Sequence, residues 1–352
     1  MTEAVFAIPG DKDQRTGGFI YEATVLRCLN EIGCNTEHLQ LPDSFPEPSR
    51  KDMVATLNAL CAVPETRPII LDGLVFGAID PTGLSQVKAP VIAMIHHPLG
   101  LETGLSPERA EFLRNNETEA LRYAAHVIVP SPETARILTH EFGANPDVIT
   151  VAAPGFDRPI IRKRPFEPPL ILSVGLLARR KGHDTLLSAL ATLKDLSWQA
   201  VIVGKEHDRN TANALYAQST SLGLNTRVTF AGELDQPSLN EMFNSATLFA
   251  LATRYEGYGM VLSEAMMFGL PIVSCSVGAV PETVGEAGFL VPPDDADAFA
   301  AKLRLILEDP ETRRRLGLLS ERKSKTLPEW RDTAAVFARV IRTLSGSDQG
   351  NG

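Results

Sequence analysis

Cysteine is scarce in this chain and unpaired by spacing. Cys28, Cys34, Cys61 and Cys275 are scattered through 352 residues in apparently helical or strand contexts. That arrangement excludes a disulfide framework and a zinc site built on paired cysteines, and it fits a reducing compartment. No uninterrupted apolar run approaches the length of a bilayer span, and Met1–Ile8 carries no basic region before a long apolar core. The sequence therefore predicts a cytoplasmic protein that is neither secreted nor membrane-spanning. Basic charge is also short: 34 Lys and Arg against 43 Asp and Glu leave a formal charge of -9. A general nucleic-acid binder, which needs a basic surface for its phosphate contacts, is excluded. No sequence repeat and no low-complexity block breaks the chain.

What is present is the material of two ordinary cores. Hydrophobic residues make up 44% and charged residues 22%, and the length suggests two domains of roughly 150 to 200 residues each. Short apolar or β-branched runs recur at Ala4–Ile8, Glu37–Leu41, Pro68–Leu71, Val91–Ile95, His126–Val129 and Val148–Val151. Helix-compatible stretches separate most of them; Tyr21–Ile32, with Val25, Leu29 and Ile32 on one face, ends at Gly33, where a left-handed cap is cheap. Strands alternating with helices imply a parallel sheet covered by helices.

Between Pro154 and Pro169 that pattern breaks. The stretch holds five prolines and the basic run Arg162-Lys163-Arg164, and reads as a linker. The alternation then restarts at Leu170–Val174, Gln199–Val203, Val228–Phe230, Thr247–Leu251 and Ile272–Cys275. The expected organisation is an N-terminal Rossmann-like domain over 1–153, a linker over 154–169 and a second Rossmann-like domain over 170–327. A last amphipathic helix over 328–345, crossing back to the N-terminal domain, and a disordered tail over 346–352 complete it.

Glu256 to Glu264 reads E-G-Y-G-M-V-L-S-E, with two glycines and an apolar run between the carboxylates. Gly257 and Gly259 can take positive φ and let a ligand lie on bare backbone, while the run from Met260 reads as a short helix whose first amides are free to meet an anion. Glu256 falls before that helix and Glu264 about one turn inside it, so both can face a ligand with an anionic centre and hydroxyls on either side. Strand Leu170–Val174 leads into Gly175-Leu176-Leu177-Ala178-Arg179-Arg180-Lys181-Gly182 and then a helix over Thr185–Leu193. Arg180 and Lys181 would add full charges to the dipole at a helix start. Alone, such a turn reads as a solvated basic loop; together with the Glu256 segment it reads as a phosphate site.

The Gly17–Gly18 pair, in a turn after the first strand, and His96-His97-Pro98, after the strand Val91–Ile95, both fall at carboxyl ends of sheet strands, where open α/β sheets bind ligands. Adjacent histidines point to opposite sides of an extended chain, so at most one of the two faces a ligand, and packing in a His-Pro turn is the alternative for either. Asp295-Ala296-Asp297 matches a metal-binding D-x-D pattern, yet it opens the amphipathic stretch Phe299–Leu307 and is expected to cap that helix. Arg313-Arg314-Arg315 reads as a solvated helix face.

Taken together these segments resemble the retaining nucleotide-sugar glycosyltransferases of family four, whose GT-B architecture is α/β with two facing Rossmann-like domains, parallel sheets and an interdomain cleft. The run from Glu256 to Pro271 is similar to that family's E-x7-E signature, and Val174 to Asp184 to its phosphate-binding turn. Weaker similarity runs through R-T-G-G-F at 15–19, H-H-P at 96–98, V-I-V-P-S at 127–131 and G-A-V-P-E at 278–282. The resemblance implies that Lys181 holds the donor diphosphate, Glu264 binds the ribose hydroxyls and Glu256 contacts the transferred sugar. The backbone of Gly257, Tyr258, Gly259, Met260 and Val261 would meet sugar and phosphate, and that around Gly175, Gly204, Glu233 and Leu234 the rest of the donor. Gly17 and Gly18 would approach the diphosphate, with His97 beside the sugar. Family members commonly carry arginine directly after the glycine of the phosphate turn; this chain has Leu176, and Arg180 is expected to replace it.

The implied reaction moves a hexose-type sugar from a nucleotide-diphosphate sugar, most simply a UDP-sugar, to an acceptor hydroxyl with retention of configuration. No metal or other cofactor is required by it. The acceptor could be a glycan, a lipid or a small molecule, and the stretches 41–52 and 100–113 are expected to select it. Tyr21–Ile32 has one arginine against two glutamates, so peripheral membrane contact is not indicated. An epimerase or phosphorolytic enzyme of the same fold, and a non-catalytic nucleotide-sugar-binding protein, are the rival readings.

Overall fold

The structure, a computed structural model, describes residues 3–14 and 16–346. The chain divides into two compact units: residues 1–156 with 328–352, and residues 157–327. Arg15, of the glycine-turn segment, and all but the first residue of the expected tail lie outside the described residues.

Unit 1 is built on the strands β1 (Ala4–Pro9), β2 (Thr36–Leu41), β3 (Ile69–Asp72), β4 (Val91–Met94), β5 (His126–Val129) and β6 (Ile149–Val151). They form a parallel sheet in the order β2-β1-β3-β4-β5-β6. Its helices of the first segment are α1 (Gly17–Glu31), α2 (Arg50–Cys61), α3 (Gly73–Phe76), α4 (Pro81–Leu84), α5 (Pro107–Ala120) and α6 (Pro132–Glu141). β1, β3 and β4 are buried at every residue, as near-continuous apolar strands must be when helices cover both faces. The strand order reverses between β1 and β3, so the loops leaving those two strands diverge to opposite faces.

Unit 2 repeats the plan with β7 (Leu170–Val174), β8 (Gln199–Val203), β9 (Val228–Gly232), β10 (Leu248–Leu251), β11 (Ile272–Cys275) and β12 (Gly288–Val291), in the parallel order β12-β11-β10-β7-β8-β9. Its helices are α7 (His183–Ala191), α8 (Arg209–Ser221), α9 (Gln236–Ser245), α10 (Met260–Met267), α11 (Val280–Val284), α12 (Ala296–Glu308) and α13 (Pro310–Ser324). One apolar layer gathers Leu186, Leu190, Trp198, Leu215 and Phe299, and the other Phe243, Phe249, Leu262, Met266 and Phe268, so both sheet faces are closed. Here the order reverses between β7 and β10.

The last helix, α14 (Trp330–Leu344), belongs to unit 1. Trp330, Ala334, Phe337 and Ile341 are buried, and the Tyr21 ring of α1 stands 5.7 Å from Trp330 and 6.1 Å from Phe337. Two hydrogen bonds fix the register: Tyr21 Oη donates to the Ala152 carbonyl at 2.8 Å and Thr333 Oγ1 to that of Ala153 at 2.8 Å.

Two details depart from the sequence reading. The first helix starts at Gly17, not near Tyr21, so Gly17 and Gly18 form its first turn instead of a loop before it. The strand β12 was not anticipated, because four residues, two of them Gly288 and Val291 at the ends, give too short an alternation to read.

Candidate functional site

The carboxyl edge of the unit 2 sheet, at its point of reversal, collects most of the residues singled out in the sequence. The loop after β7 carries Gly175 to Gly182 and the loop after β10 carries Ala252 to Gly259. These are adjacent strands whose following segments part to opposite faces, which is where doubly wound sheets open a crevice.

Lys181 Nζ donates to Glu256 Oε1 at 2.6 Å, and Arg180 Nη1 lies 3.6 Å from Glu256 Oε2. Glu256 is almost fully buried. Burial opposes its ionisation, but the two cations, with hydrogen bonds from Lys181 and Thr253, outweigh that and hold the carboxyl below its ordinary value. Arg180 Nη1 also donates to the Tyr255 carbonyl at 3.0 Å, so its guanidinium is tied to the same loop. The Lys181 stem lies against Gly175, where a Cβ would stand 3.2 Å from its Cδ.

The two loops are bolted together by residues that the sequence reading did not weigh. Arg254 Nη1 and Nη2 grip both oxygens of Asp184 at 3.0 and 2.7 Å, its Nε reaches Asp294 at 2.8 Å, and Nη1 also donates to the Arg179 carbonyl. The Arg254 amide donates to the Arg180 carbonyl at 2.8 Å. Thr253 Oγ1, fully buried, sits 3.0 Å from Glu256 Oε1 and from the Tyr255 carbonyl and 3.1 Å from the Arg180 carbonyl, and gives its one proton to one of the three. His183 places Nε2 3.3 and 3.2 Å from the carbonyls of Gly175 and Leu176. Burial pushes its imidazole down to about 4, so it is neutral and Nε2 carries the proton as donor. The signal available in the sequence was adjacency: Thr253-Arg254 precedes Glu256, and His183-Asp184 follows Gly182.

Glycine begins both helices here. Gly182 (φ 65°) precedes α7 and Gly259 (φ 84°) precedes α10, and neither helix start has a side-chain cap. By contrast α8, α9, α12 and α13 are capped by Asp208, Asp235, Asp295 and Asp309. Asp295 thus serves as a cap, its carboxylate accepting from the Ala298 amide at 2.8 Å. Gly278 stands so close to the Glu256 carbonyl that any Cβ would collide with it.

Glu264 lies in the second turn of α10, half-buried, and among the described residues its carboxyl has no hydrogen-bond or ion-pair partner. Burial alone raises it to about 7. Tyr258 accepts Thr283 Oγ1 at its carbonyl at 2.7 Å, and burial raises its phenol. Met260 and Val261 form the first turn of α10 after Gly257-Tyr258-Gly259. Gly175, Gly204 and Gly232 fall at the carboxyl ends of the neighbouring strands β7, β8 and β9: the Gly175 amide donates to the Val203 carbonyl at 2.9 Å and that of Gly204 to Gly232 at 2.8 Å. Glu233 and Leu234 follow directly. Among the described residues no cluster of three or more His, Cys, Asp or Glu side chains could hold a metal, and no helix is long and apolar enough to cross a membrane.

Gly17, Gly18 and His97 belong to the other unit. Gly18 packs on His96, whose Cδ2 would lie 3.4 Å from an added Cβ. His97 is 15% exposed, with Nε2 3.9 Å from Glu102 Oε2.

The family model for glycosyl transferases group 1 matches residues 157–321, nearly all of unit 2. D-inositol 3-phosphate glycosyltransferase of Corynebacterium glutamicum is 28% identical over 268 residues, covering 70% of this chain and 64% of the relative. MMP alpha-(1->4)-mannosyltransferase of Mycolicibacterium hassiacum is 26% identical over 288 residues, covering 75% and 69%. The chain thus matches about two thirds or less of several such relatives' length. Among solved structures, sucrose-phosphate synthase from Thermosynechococcus elongatus superposes with TM-score 0.82 at 23% identity, covering 98% of this chain and 100% of that one. Anabaena HepE in complex with UDP-glucose gives 0.74 at 17% identity, covering 97% and 99%. The fold is therefore GT-B, and it is unit 2 that matches the glycosyl transferases group 1 model.

Proposed function

We propose that the protein moves a hexose-type sugar from a nucleotide-diphosphate sugar to an acceptor hydroxyl with retention of anomeric configuration, and that the donor is a UDP-sugar. The carrying observation is the Lys181–Glu256–Arg180 cluster at the reversal point of the unit 2 sheet, between two glycine-started, uncapped helices. Anabaena HepE, a solved protein of the same fold, is complexed with UDP and with UDP-glucose, which supports the choice of nucleotide.

Sugar transfer breaks the anomeric bond to diphosphate through an oxocarbenium-like state, so negative charge grows on the departing phosphate. Lys181, the nearby Arg180 and the bare amides that open α7 and α10 are placed to stabilise that charge. Arg180 supplies from four residues onward the positive charge that Leu176 does not. Glu264, desolvated and without a protein partner among the described residues, is suited to accept hydrogen bonds from paired ribose hydroxyls, which would satisfy a carboxyl that the fold leaves costly to ionise. Glu256 orients Lys181 and contacts the sugar, and the backbone from Gly257 to Val261, with that at Gly175, Gly204, Glu233 and Leu234, lines the rest. The departing phosphate oxygen takes the acceptor proton on the same face, so no protein nucleophile is needed. Unit 1, with Gly17, Gly18 and a histidine of the His96–His97 pair, is assigned the acceptor. A cytoplasmic location is part of this proposal.

Thermal-shift measurements against a panel of nucleotide sugars, followed by product analysis with hydroxylic acceptors, test this reading. Stabilisation by a UDP-sugar and an α-linked product from an α-linked donor support it. Isomerised donor without acceptor, transfer to inorganic phosphate, an inverted product or a covalent glycosyl adduct on Glu256 would each overturn part of it.

A further inference from the structure

Unit 1 buries a second ionisable cluster at the carboxyl edge of its own sheet. Glu22 of α1 is 0% exposed and Asp72, the last residue of β3, 4% exposed. His96, just past β4, places Nε2 3.2 Å from Glu22 Oε1. The three come from three elements that meet beside the β1/β3 reversal, directly under the first turn of α1, where Gly18 lies on the imidazole edge.

The proton inventory of this cluster is constrained. Asp72 Oδ1 accepts the amides of Leu74 and Val75 at 2.8 and 3.2 Å, as the cap of α3. Glu22 Oε2 is buried and faces no protein donor. Glu22 and Asp72 lie close enough to shift each other's titration, and two carboxyl groups buried together keep at least one proton between them. Burial raises both carboxyls, but the pairing itself lowers Glu22 and raises Asp72, so the shared proton belongs to Asp72. With that proton on Asp72, Glu22 Oε1 faces His96 as an acceptor, and the hydrogen between them is the one on Nε2. Burial takes Glu22 to about 8 and drives His96 down to about 4, which agrees with a neutral imidazole. Tyr21, the remaining titratable group against this cluster, is raised by its burial and stays protonated.

The far end of the same loop is held in the same way. Glu117 of α5, fully buried, accepts the Leu99 amide at Oε2 at 3.1 Å, while its Oε1 is buried without a partner. The segment 96–99 is thus fixed at each end by a buried carboxyl group.

We propose that Glu22 is a positioning residue for His96: its Oε1 accepts the Nε2 proton and so leaves Nδ1 as the acceptor that the ring offers to a ligand hydroxyl. His96, rather than His97, is the histidine of unit 1 that meets ligand. The ligand part of this assignment rests on the glycosyl-transfer reading; the tautomer does not.

The tautomer is read directly by 15N NMR of histidine-labelled full-length protein near neutral pH, with the His96 signals assigned by their loss in His96→Gln. The expected spectrum shows a protonated Nε2 and an unprotonated Nδ1. Glu22→Gln keeps an acceptor for His96, so it should preserve both the spectrum and the turnover. Glu22→Leu should mix the tautomers and lower kcat/KM about 10- to 100-fold, the usual cost of removing the outer partner of a functional histidine. His96→Ala should lose activity where His97→Ala keeps most of it. A protonated Nδ1 in the wild type, or a Glu22→Gln protein as impaired as Glu22→Leu, overturns the proposal, and the wild-type and Glu22→Gln spectra decide it even if the leucine variant does not fold. A normal tautomer pattern in a protein that transfers no sugar would sink the glycosyl-transfer reading and leave the Glu22 assignment standing.

Discussion

Lys181 and Glu256 hold each other with only 12% and 7% of their side-chain surface exposed. Removing one partner of such a pair leaves a buried charge, so Lys181→Met should cost roughly 3 kcal/mol of stability and about a hundredfold or more in turnover. In the double variant Lys181→Met, Glu256→Gln the stability should largely return while turnover does not. Thermal melts and initial rates on the four proteins measure both; recovery of activity together with stability would show that Lys181 serves only to neutralise Glu256. This pair was legible in the sequence only as two motifs 75 residues apart. Their contact was not, because nothing in either motif states which loops of the sheet become neighbours. Arg254 was illegible for the same reason: its partners Asp184 and Asp294 are set by strand order, not by spacing.

At the scale of elements, the turn into α7 depends on one glycine. Gly182 takes φ 65°, and any Cβ there would strike the Ala252 carbonyl. Gly223 has a similar φ of 63°, but its added Cβ would touch only the Lys194 ammonium at 3.4 Å. Gly182→Ala should therefore cost roughly 2 to 4 kcal/mol and Gly223→Ala about 1. Equal losses in chemical denaturation would show that the close approach of the two loops is not what requires glycine. Elements of this kind were the most readable part of the chain. The strands leading to both candidate edges stand within a residue or so of their expected places, because an apolar run between turn residues marks a buried parallel strand whatever its neighbours. The start of α1 was misplaced because Gly17 and Gly18 read as loop formers; in the structure Gly18 is needed where the helix passes over the His96 ring.

For the whole molecule, several buried carboxyls give stability a definite pH dependence. Burial raises Glu22 and Glu117 to about 8 and Glu264 to about 7. The folded protein therefore keeps protons that the unfolded chain releases near its ordinary carboxyl value, and stability falls as pH climbs from that value up to the folded ones. His96 and His183, pushed to about 4, act oppositely between about 4 and 6.5, so the net fall belongs above that range. Melting temperature should decline from about pH 6.5 to 8, and less steeply in Glu117→Gln. A flat profile, or one that the substitution leaves unchanged, would contradict the burial of these groups.

Unit 2 is one unbroken stretch, whereas unit 1 takes its closing helix from residues beyond it. During synthesis, Tyr21 and its apolar neighbours on α1 must wait uncovered through the making of an entire second domain before Trp330 and Phe337 leave the ribosome. Order of completion thus runs opposite to order of appearance. A fragment of residues 157–327 should fold alone, and one of residues 1–156 should stay soluble only when a peptide spanning 328–346 is supplied in trans.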